Sequence, residues 1–292
     1  MSDLEDSFTP QLTADGSFTF TSQEFGESFH SHYGAKQESF LKFVVPTQLA
    51  TVAHKPSLRL LDVCYGLGYN TAAALQTIWS VNPNCDVEVM GLELNPSIPR
   101  AAIAHHLFDN WDYKYTEILT KLAFEQQVQT ACLEAQLLIG DARNSITLIL
   151  QSGFQADAIF LDPFSPPQCP QLWTMEFIKQ LSLCLQADGL LATYSCAAAV
   201  RTALLAAGLI IGSTPPVGRR SPGTVAAHPQ GVNNASVPPL SESEKEHLLT
   251  RAAIPYRDPQ LSDPAEIILM RRQQEQQASS LESTSRWRKR WL

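Results

Sequence analysis

Lysine and arginine are absent from the first thirty residues, which carry six acids instead. That stretch therefore has neither the basic start nor the apolar middle of a secretion signal. Long hydrophobic runs are missing too. The longest nearly unbroken one, residues 203–211, is far short of the ~20 residues that span a membrane. Cysteine is scarce and scattered. Cys64, Cys85, Cys132, Cys169, Cys184 and Cys196 form no C-x-x-C, and none pairs with a histidine at zinc-ligand spacing. These absences argue against a secreted protein, a disulfide scaffold, a membrane protein and a metal module. The expectation is a reduced, soluble, cytoplasmic chain. Its 292 residues are enough to bury a sizeable core without staples.

Charge and texture vary along the chain. The net charge of −8 disfavours a nucleic-acid partner in bulk, yet Arg201, Arg219-Arg220 and the run Arg286-Trp287-Arg288-Lys289-Arg290-Trp291 leave room for one basic face. Gly16-Ser17-Phe18-Thr19-Phe20-Thr21 reads as a hairpin strand and residues 35–45 as a helix stopped by Pro46. From residue 58 to about 215, apolar runs of strand length (58–64, 87–94, 135–139, 158–161, 190–194, 209–212) alternate with helical stretches (71–79, 98–108, 146–151, 172–185, 197–206). Such alternation predicts an α/β fold, a largely parallel sheet covered by helices on both faces. Residues 111–132 read as an extra helix, and 224–227 as a strand running into a Pro/Gly/Ser-rich loop. Ser241-x-x-Glu244 and Asp263-Pro264-Ala265-Glu266 both look like helix starts. Residues 273–285 read as helical or disordered. Three regions follow: an N-terminal β/α extension (1–57), a Rossmann-like domain (58–230) and a helical C-terminal extension with a basic tail (231–292).

Ligands of open parallel sheets bind beyond the carboxyl ends of the strands, so the polar residues there matter most. The first run ends Asp62-Val63-Cys64-Tyr65-Gly66-Leu67-Gly68-Tyr69-Asn70, where two glycines allow a tight turn and close backbone approach. The third glycine of a dinucleotide fingerprint is absent, because position 71 is Thr71. Asp62 can instead engage the ammonium of an amino-acid moiety. Glu93, ending the second run, suits ribose hydroxyls, and Asp141, ending the third, can accept from an adenine amino group. Taken singly, Gly66 and Gly68 are ordinary turn glycines, Glu93 a solvated acid and Asp141 a helix cap. Three acids at successive strand ends without a phosphate-loop lysine point to S-adenosylmethionine rather than NAD or ATP. The fourth run ends Leu161-Asp162-Pro163-Phe164-Ser165-Pro166-Pro167, where prolines restrict the backbone and would hold Asp162 beside a transferring methyl group.

Here the sequence resembles a known family, the tRNA 5-(aminomethyl)-2-thiouridine methyltransferases, which occur alone or fused to a flavin oxidase. The most specific likeness is Leu161-Asp162-Pro163-Phe164-Ser165-Pro166 with Pro170-Gln171-Leu172-Trp173-Thr174. Supporting it are Tyr65-Gly66-Leu67-Gly68-Tyr69-Asn70, Ala192-Thr193-Tyr194-Ser195 with Val200-Arg201, and Gly218-Arg219-Arg220. Thr13-Ala14-Asp15-Gly16-Ser17, His30-Ser31-His32-Tyr33-Gly34-Ala35 with Glu38-Ser39, and Thr250 through Pro259 are similar to the stand-alone members. Cys64 departs from the pattern, standing where many relatives have glycine. Pro163 replaces a glycine of fused members, and Cys169 an asparagine.

The resemblance implies methyl transfer from S-adenosylmethionine to the aminomethyl nitrogen of a wobble uridine, with Asp162 orienting the amine and accepting its proton. Tyr65, Gly66, Gly68 and Asn70 join Asp62, Glu93, Asp141 and Asp162 as cofactor residues. Phe164 and Tyr194 are candidates to stack on the RNA, and Arg201, Arg219 and Arg220 to bind its phosphates. Against these stand core roles for the aromatics and solvated roles for the arginines. His30 and His32 are read as structural, with a place at the substrate mouth as the alternative. No flavin fingerprint is visible and little chain follows Pro259, so no flavin oxidase domain is expected; the cysteine and histidine spacing gives no expectation of a metal, and no obligate protein partner is inferred. Rival readings are a small-molecule amine methyltransferase, an aminopropyl transferase (whose G-G-G-x-G turn is missing), and a non-catalytic RNA-binding relative.

Overall fold

Strands that are apolar on both faces need cover on both faces, and the computed structural model supplies it. Residues 8–218, 221–231 and 237–291 are described. Two short strands, β1 (Gln11–Leu12) and β2 (Phe18–Thr19), form a hairpin. α1 (Ala35–Glu38) then runs into a π-helical turn, Ser39–Val44, and α2 (Leu49–Val52) follows. Next come β3 (Ser57–Val63), α3 (Tyr69–Val81), β4 (Asp86–Glu93), α4 (Ser97–Ala104) and α5 (Tyr113–Glu125). The chain continues through β5 (Gln127–Gln129), β6 (Leu133–Ile139), α6 (Ala142–Gln151), β7 (Ala156–Leu161), α7 (Met175–Leu183) and β8 (Leu185–Thr193). α8 (Ala198–Ala206), β9 (Ile210–Thr214) and β10 (Gly223–Ala227) complete the sheet. α9 (Glu242–His247), α10 (Ala265–Ala278) and α11 (Thr284–Trp291) end the described chain.

The eight-stranded sheet has the order β5-β6-β4-β3-β7-β8-β10-β9. Strands β6, β4, β3, β7 and β8 are parallel, while β5 and β10 run against their neighbours. The chain steps outward from β3 to β4 and β6, then returns to β7 on the other side of β3. The order thus reverses between β3 and β7, the place where ligands of such sheets bind. Leu58 and Leu60 of β3 pack into one apolar layer, and Leu61 and Val63 into the other. The first layer also contains Phe20 and Phe43, so the N-terminal segment shares a core with the sheet. Among the described residues no helix is long and apolar enough to cross a membrane.

The expected alternation holds, with local differences. Residues 111–132 divide into α5 and the edge strand β5, because Gln126 takes a left-handed conformation (φ 61°) and Val128 turns inward between two exposed glutamines. Residues 172–185 begin as a 3-10 turn, Pro170–Trp173; α7 starts later, capped by Thr174, whose hydroxyl accepts from Phe177 N at 3.3 Å. α4 stops at Ala104, before a turn through His106 at φ 59°. The Ser241 capping box is present as read. Asp263 does not cap α10; its carboxylate pairs with Arg271 at 2.7 Å, and Pro264 takes the cap position. The residues read as helical or disordered lie in α10, α11 and the link between them.

Phe20 is fully buried against Phe8 and His105. Phe20→Ala is expected to cost about 3–5 kcal/mol in urea unfolding. A loss below about 1 kcal/mol would mean that the N-terminal segment unfolds apart from the sheet.

Candidate active site

The turn after β3 is built from left-handed residues: Cys64 at φ 67°, Gly66 at 57° and Gly68 at 96°. A side chain at Gly68 would meet the Tyr65 hydroxyl at 2.8 Å, so both conformation and space require glycine there. Cys64 holds its left-handed geometry although it carries a side chain, in a conformation that glycine adopts without strain. Glu93, at the end of β4, accepts from Gly66 N and Asn95 N, each at 2.8 Å, and is thereby fixed across the β3–β4 pair. Asp62 lies beneath this turn with no exposure. Thr71 donates to its Oδ2 at 2.7 Å, and burial pushes its carboxyl up to about 7. Burial raises Glu93 as well.

Three buried polar atoms at this wall have no hydrogen-bond partner among the described residues: Asp62 Oδ1, the Tyr65 hydroxyl and Asn70 Oδ1. Leaving such atoms unmatched costs about 1–3 kcal/mol each. Their concentration beside a glycine turn and a ribose-ready carboxylate fits a ligand with an amino-acid end and a nucleoside end, as in S-adenosylmethionine.

In front of the wall is a cavity of about 570 Å³, a size typical of small-ligand sites. Its floor includes Tyr65, Asn70, Glu93, Asp162 and Tyr194, and its roof comes from residues 21–43. Asp162 is half-buried and accepts from Asn70 Nδ2 at 3.0 Å. Burial first, then the negative charges of Glu38 and Asp62, raise its carboxyl well above the usual range. Its loop is strapped down on several sides. Tyr194 donates to Pro163 O at 2.9 Å and Trp173 Nε1 to Phe164 O at 2.8 Å. Glu27 of the roof accepts from both Ser165 N and Ser165 Oγ. Phe25 stacks on Phe164 with centroids 4.5 Å apart, and Phe29 meets the same ring edge-on at 5.0 Å.

The structure therefore gathers Tyr65, Gly66, Asn70, Glu93, Asp162, Phe164 and Tyr194 around one cavity, with Asp62 and Gly68 close behind its wall. Asp141 and Arg201 lie elsewhere. Asp141 caps α6 by accepting from Arg143 N at 2.9 Å, and its carboxylate is gripped by the Arg143 guanidinium at 2.7 Å. The helix-cap alternative thus describes it better than an adenine contact. Arg201 is 2% exposed, paired with Glu244 at 2.8 Å and bonded to Thr224 and Gly223, so it has no face to offer a phosphate. Arg219 and Arg220 lie outside the described residues. Phe164 already has one face against Phe25.

Two groups were not anticipated. The aromatic roof is one. The other is Lys42, which pairs with Glu38 at 2.7 Å in the cavity wall, both side chains more than nine-tenths buried. A Glu–Lys pair four residues apart ordinarily reads as a solvated helix face, so only the neighbouring motif around His30–Glu38 marked the region. His30 also lines the cavity and is held down to about 4 by burial, hence neutral at physiological pH.

A family model described as S-adenosyl-L-methionine-dependent methyltransferase matches residues 105–229. The fold superposes on the crystal structure of MnmC2 from Aquifex aeolicus with a TM-score of 0.80, covering 95% of this chain and 88% of that one at 33% identity. An uncharacterized protein of Methanocaldococcus jannaschii is 30% identical over 260 residues, 86% of this chain and 67% of its own length. The tRNA 5-methylaminomethyl-2-thiouridine biosynthesis bifunctional protein MnmC of Ralstonia nicotianae is 30% identical over 236 residues, 76% of this chain. The chain spans 34% of that bifunctional relative. The cofactor wall, the sheet order and this shared sequence converge: the chain belongs to the family of S-adenosyl-L-methionine-dependent methyltransferases that includes MnmC2 of Aquifex aeolicus.

Proposed function

We propose that this chain transfers a methyl group from S-adenosylmethionine to the aminomethyl nitrogen of 5-aminomethyl-(2-thio)uridine at the wobble position of tRNA, leaving the 5-methylaminomethyl form and S-adenosylhomocysteine. The observation that carries this reading is the position of Asp162: a basic carboxylate in a covered cavity, one hydrogen bond from the helix that springs from the cofactor turn. The likeness to MnmC2 and to proteins of tRNA 5-methylaminomethyl-2-thiouridine biosynthesis supports tRNA as substrate.

S-adenosylmethionine, when bound, supplies the methyl group that the amine nitrogen takes as the carbon–sulfur bond breaks. Glu93 would hold the ribose, and the turn from Cys64 to Gly68, with Tyr65 and Asn70, the methionine end above the charge of Asp62. An amine attacks only when neutral; burial favours that form, whereas a carboxylate nearby favours the ammonium. Asp162 answers this conflict through its surroundings, since a carboxylate whose pKa is raised is a stronger base for the departing proton. The straps on its loop fix it in one orientation, which is worth as much as its basicity. Tyr194 and Phe164 are the proposed stacking residues for a splayed base, and Arg219 and Arg220 the phosphate contacts.

The direct test supplies radiolabelled S-adenosylmethionine and tRNA from a strain that leaves the aminomethyl group unmethylated, then identifies the labelled nucleoside by mass spectrometry. Label on the aminomethyl nitrogen is expected. Intact cofactor binding with no label in tRNA would discard the assignment. Asp162→Asn should lower kcat by about 10²–10⁴-fold while retaining cofactor affinity. In the wild type, kcat/KM should fall with decreasing pH along a limb lying above the ordinary carboxylate range, because a protonated Asp162 accepts no proton. That limb should vanish in Asp162→Asn.

Asp62 yields a paired prediction. Its carboxyl titrates near 4 in the unfolded chain and at about 7 in the folded one. Its ionisation therefore removes stability progressively as pH rises through that window. Asp62→Asn should raise unfolding stability at pH 8 by on the order of 2–4 kcal/mol, with little change at pH 4, and should weaken S-adenosylmethionine binding. Calorimetry of both properties decides the matter. Unchanged affinity would remove Asp62 from the cofactor site.

A further inference from the structure

The basic end of the chain forms the helix α11 rather than a loose tail, and its side chains divide into two sets. One set fixes it to α9. Trp287 stacks on His247 with centroids 4.1 Å apart and donates to Ser243 O at 2.9 Å. Trp291 donates to Glu246 at 2.8 Å, and Arg290 bonds both Glu282 at 2.7 Å and Glu246 at 3.0 Å. The other set, Arg286, Arg288 and Lys289, is exposed and makes no ion pair with a described residue. The acids of α9 and Glu282 already have ion-pair partners: Glu242 has Lys245, Glu244 has Arg201, and Glu246 and Glu282 share Arg290, with Arg286 adding to the positive field on Glu282. A positive ridge therefore stands on a chain whose net charge is −8.

The ridge flanks the edge of the sheet that bears the active cavity. Glu244 of α9 accepts from Ser213 Oγ at 2.7 Å and pairs with Arg201, which in turn donates to Gly223 O at 3.2 Å. Gly223 pairs with Thr214, and Thr224 with Thr193, so these contacts sit at the carboxyl ends of β9 and β8. Tyr194, the next residue of the chain, lines the cavity. Only two strand steps, roughly 10 Å, separate β8 from β9.

We propose that α11 is a docking ridge for the phosphodiester backbone of the RNA substrate, with Arg286, Arg288 and Lys289 taking phosphates while the reacting base occupies the cavity. This inference rests on the tRNA reading above and deepens it. Guanidinium forks match phosphate geometry, and released counterions supply affinity without reading sequence. Anchoring by two tryptophans and one arginine sets the cations in place before binding, so that less freedom is lost when RNA docks.

The test uses the full chain with Arg286→Glu, Arg288→Glu and Lys289→Glu together, beside a milder variant with glutamine at the same three positions. All three positions are exposed, and thermal unfolding checks that the fold is kept. Fluorescence anisotropy with substrate tRNA should show at least about a tenfold loss of affinity at about 0.1 M salt for the charge swap, and a smaller loss for the glutamine variant. The slope of log affinity against log salt should fall by about 2–3 units, with KM for tRNA raised and kcat unchanged. Equal affinity and slope in both variants, with tRNA still methylated by the wild type, would overturn the ridge and leave the proposed reaction standing. Charge-sensitive tRNA binding without methylation would do the reverse. Binding to anionic vesicles through these residues, with no affinity for tRNA, would overturn the RNA assignment.

Discussion

Asp162 N donates to Val63 O at 3.1 Å, and this one backbone bond between β7 and β3 governs the geometry of the site. It brings the loop carrying Asp162 level with the glycine turn that leaves β3. The side chains then meet, Asn70 from α3 reaching Asp162. The glycine turn and the Asp162 carboxylate are thus set by strand register, not by flexible loops, and neither can shift without the other. The reversal of strand order opens the crevice between them, and everything else about the site is cover and charge.

That charge is held at a cost. Asp62, Glu93 and Asp162 are each made more basic by burial, to which Glu93 adds repulsion on Asp62, and Glu38 and Asp62 on Asp162. A core built for stability alone would neutralise or remove them. The chain instead surrounds them with two apolar layers, in which strand positions such as Leu60 and Ile159 are completely enclosed. The Glu38–Lys42 pair is a partial compensation, since its lysine opposes the push that its glutamate exerts on Asp162. Polar atoms left without partners at the wall belong to the same balance between a stable protein and one ready for a ligand.

What the sequence disclosed, and what it hid, follows from these forces. Parallel strands buried on both faces are written as unbroken apolar runs, so the acids closing them stand out, and Asp62, Glu93 and Asp162 were legible for that reason. Asp141 was equally visible but ambiguous: an acid between a strand and a helix serves as cap or as ligand, and only the reach of Arg143 decides. Arg201 misled because a sequence does not tell a buried, paired arginine from a solvated one. The aromatic part of the roof was hidden, although the motif around His30–Glu38 marks the region and both His30 and His32 line the cavity. It has little regular structure to produce a periodic pattern, and Phe25, Glu27 and Phe29 acquire meaning only through contacts with a loop far along the chain. Trp287 and Trp291 were hidden in the same way, since their partner α9 lies some forty residues earlier.

The clamp between Glu27 and Ser165 also has a consequence in time. These residues are 138 positions apart. At the ~5–20 residues per second of protein synthesis, about 7 to 28 seconds pass between the appearance of one and of the other. During that interval Phe25 and Phe29 have no Phe164 to cover, and Glu38 and Lys42 no Asp162 to face. The roof is made first, and Asp162 and Tyr194 of the floor last. On the ribosome the cavity is therefore assembled late, when β7 joins β3, and a nascent chain stopped short of that strand holds the glycine turn but no closed cavity.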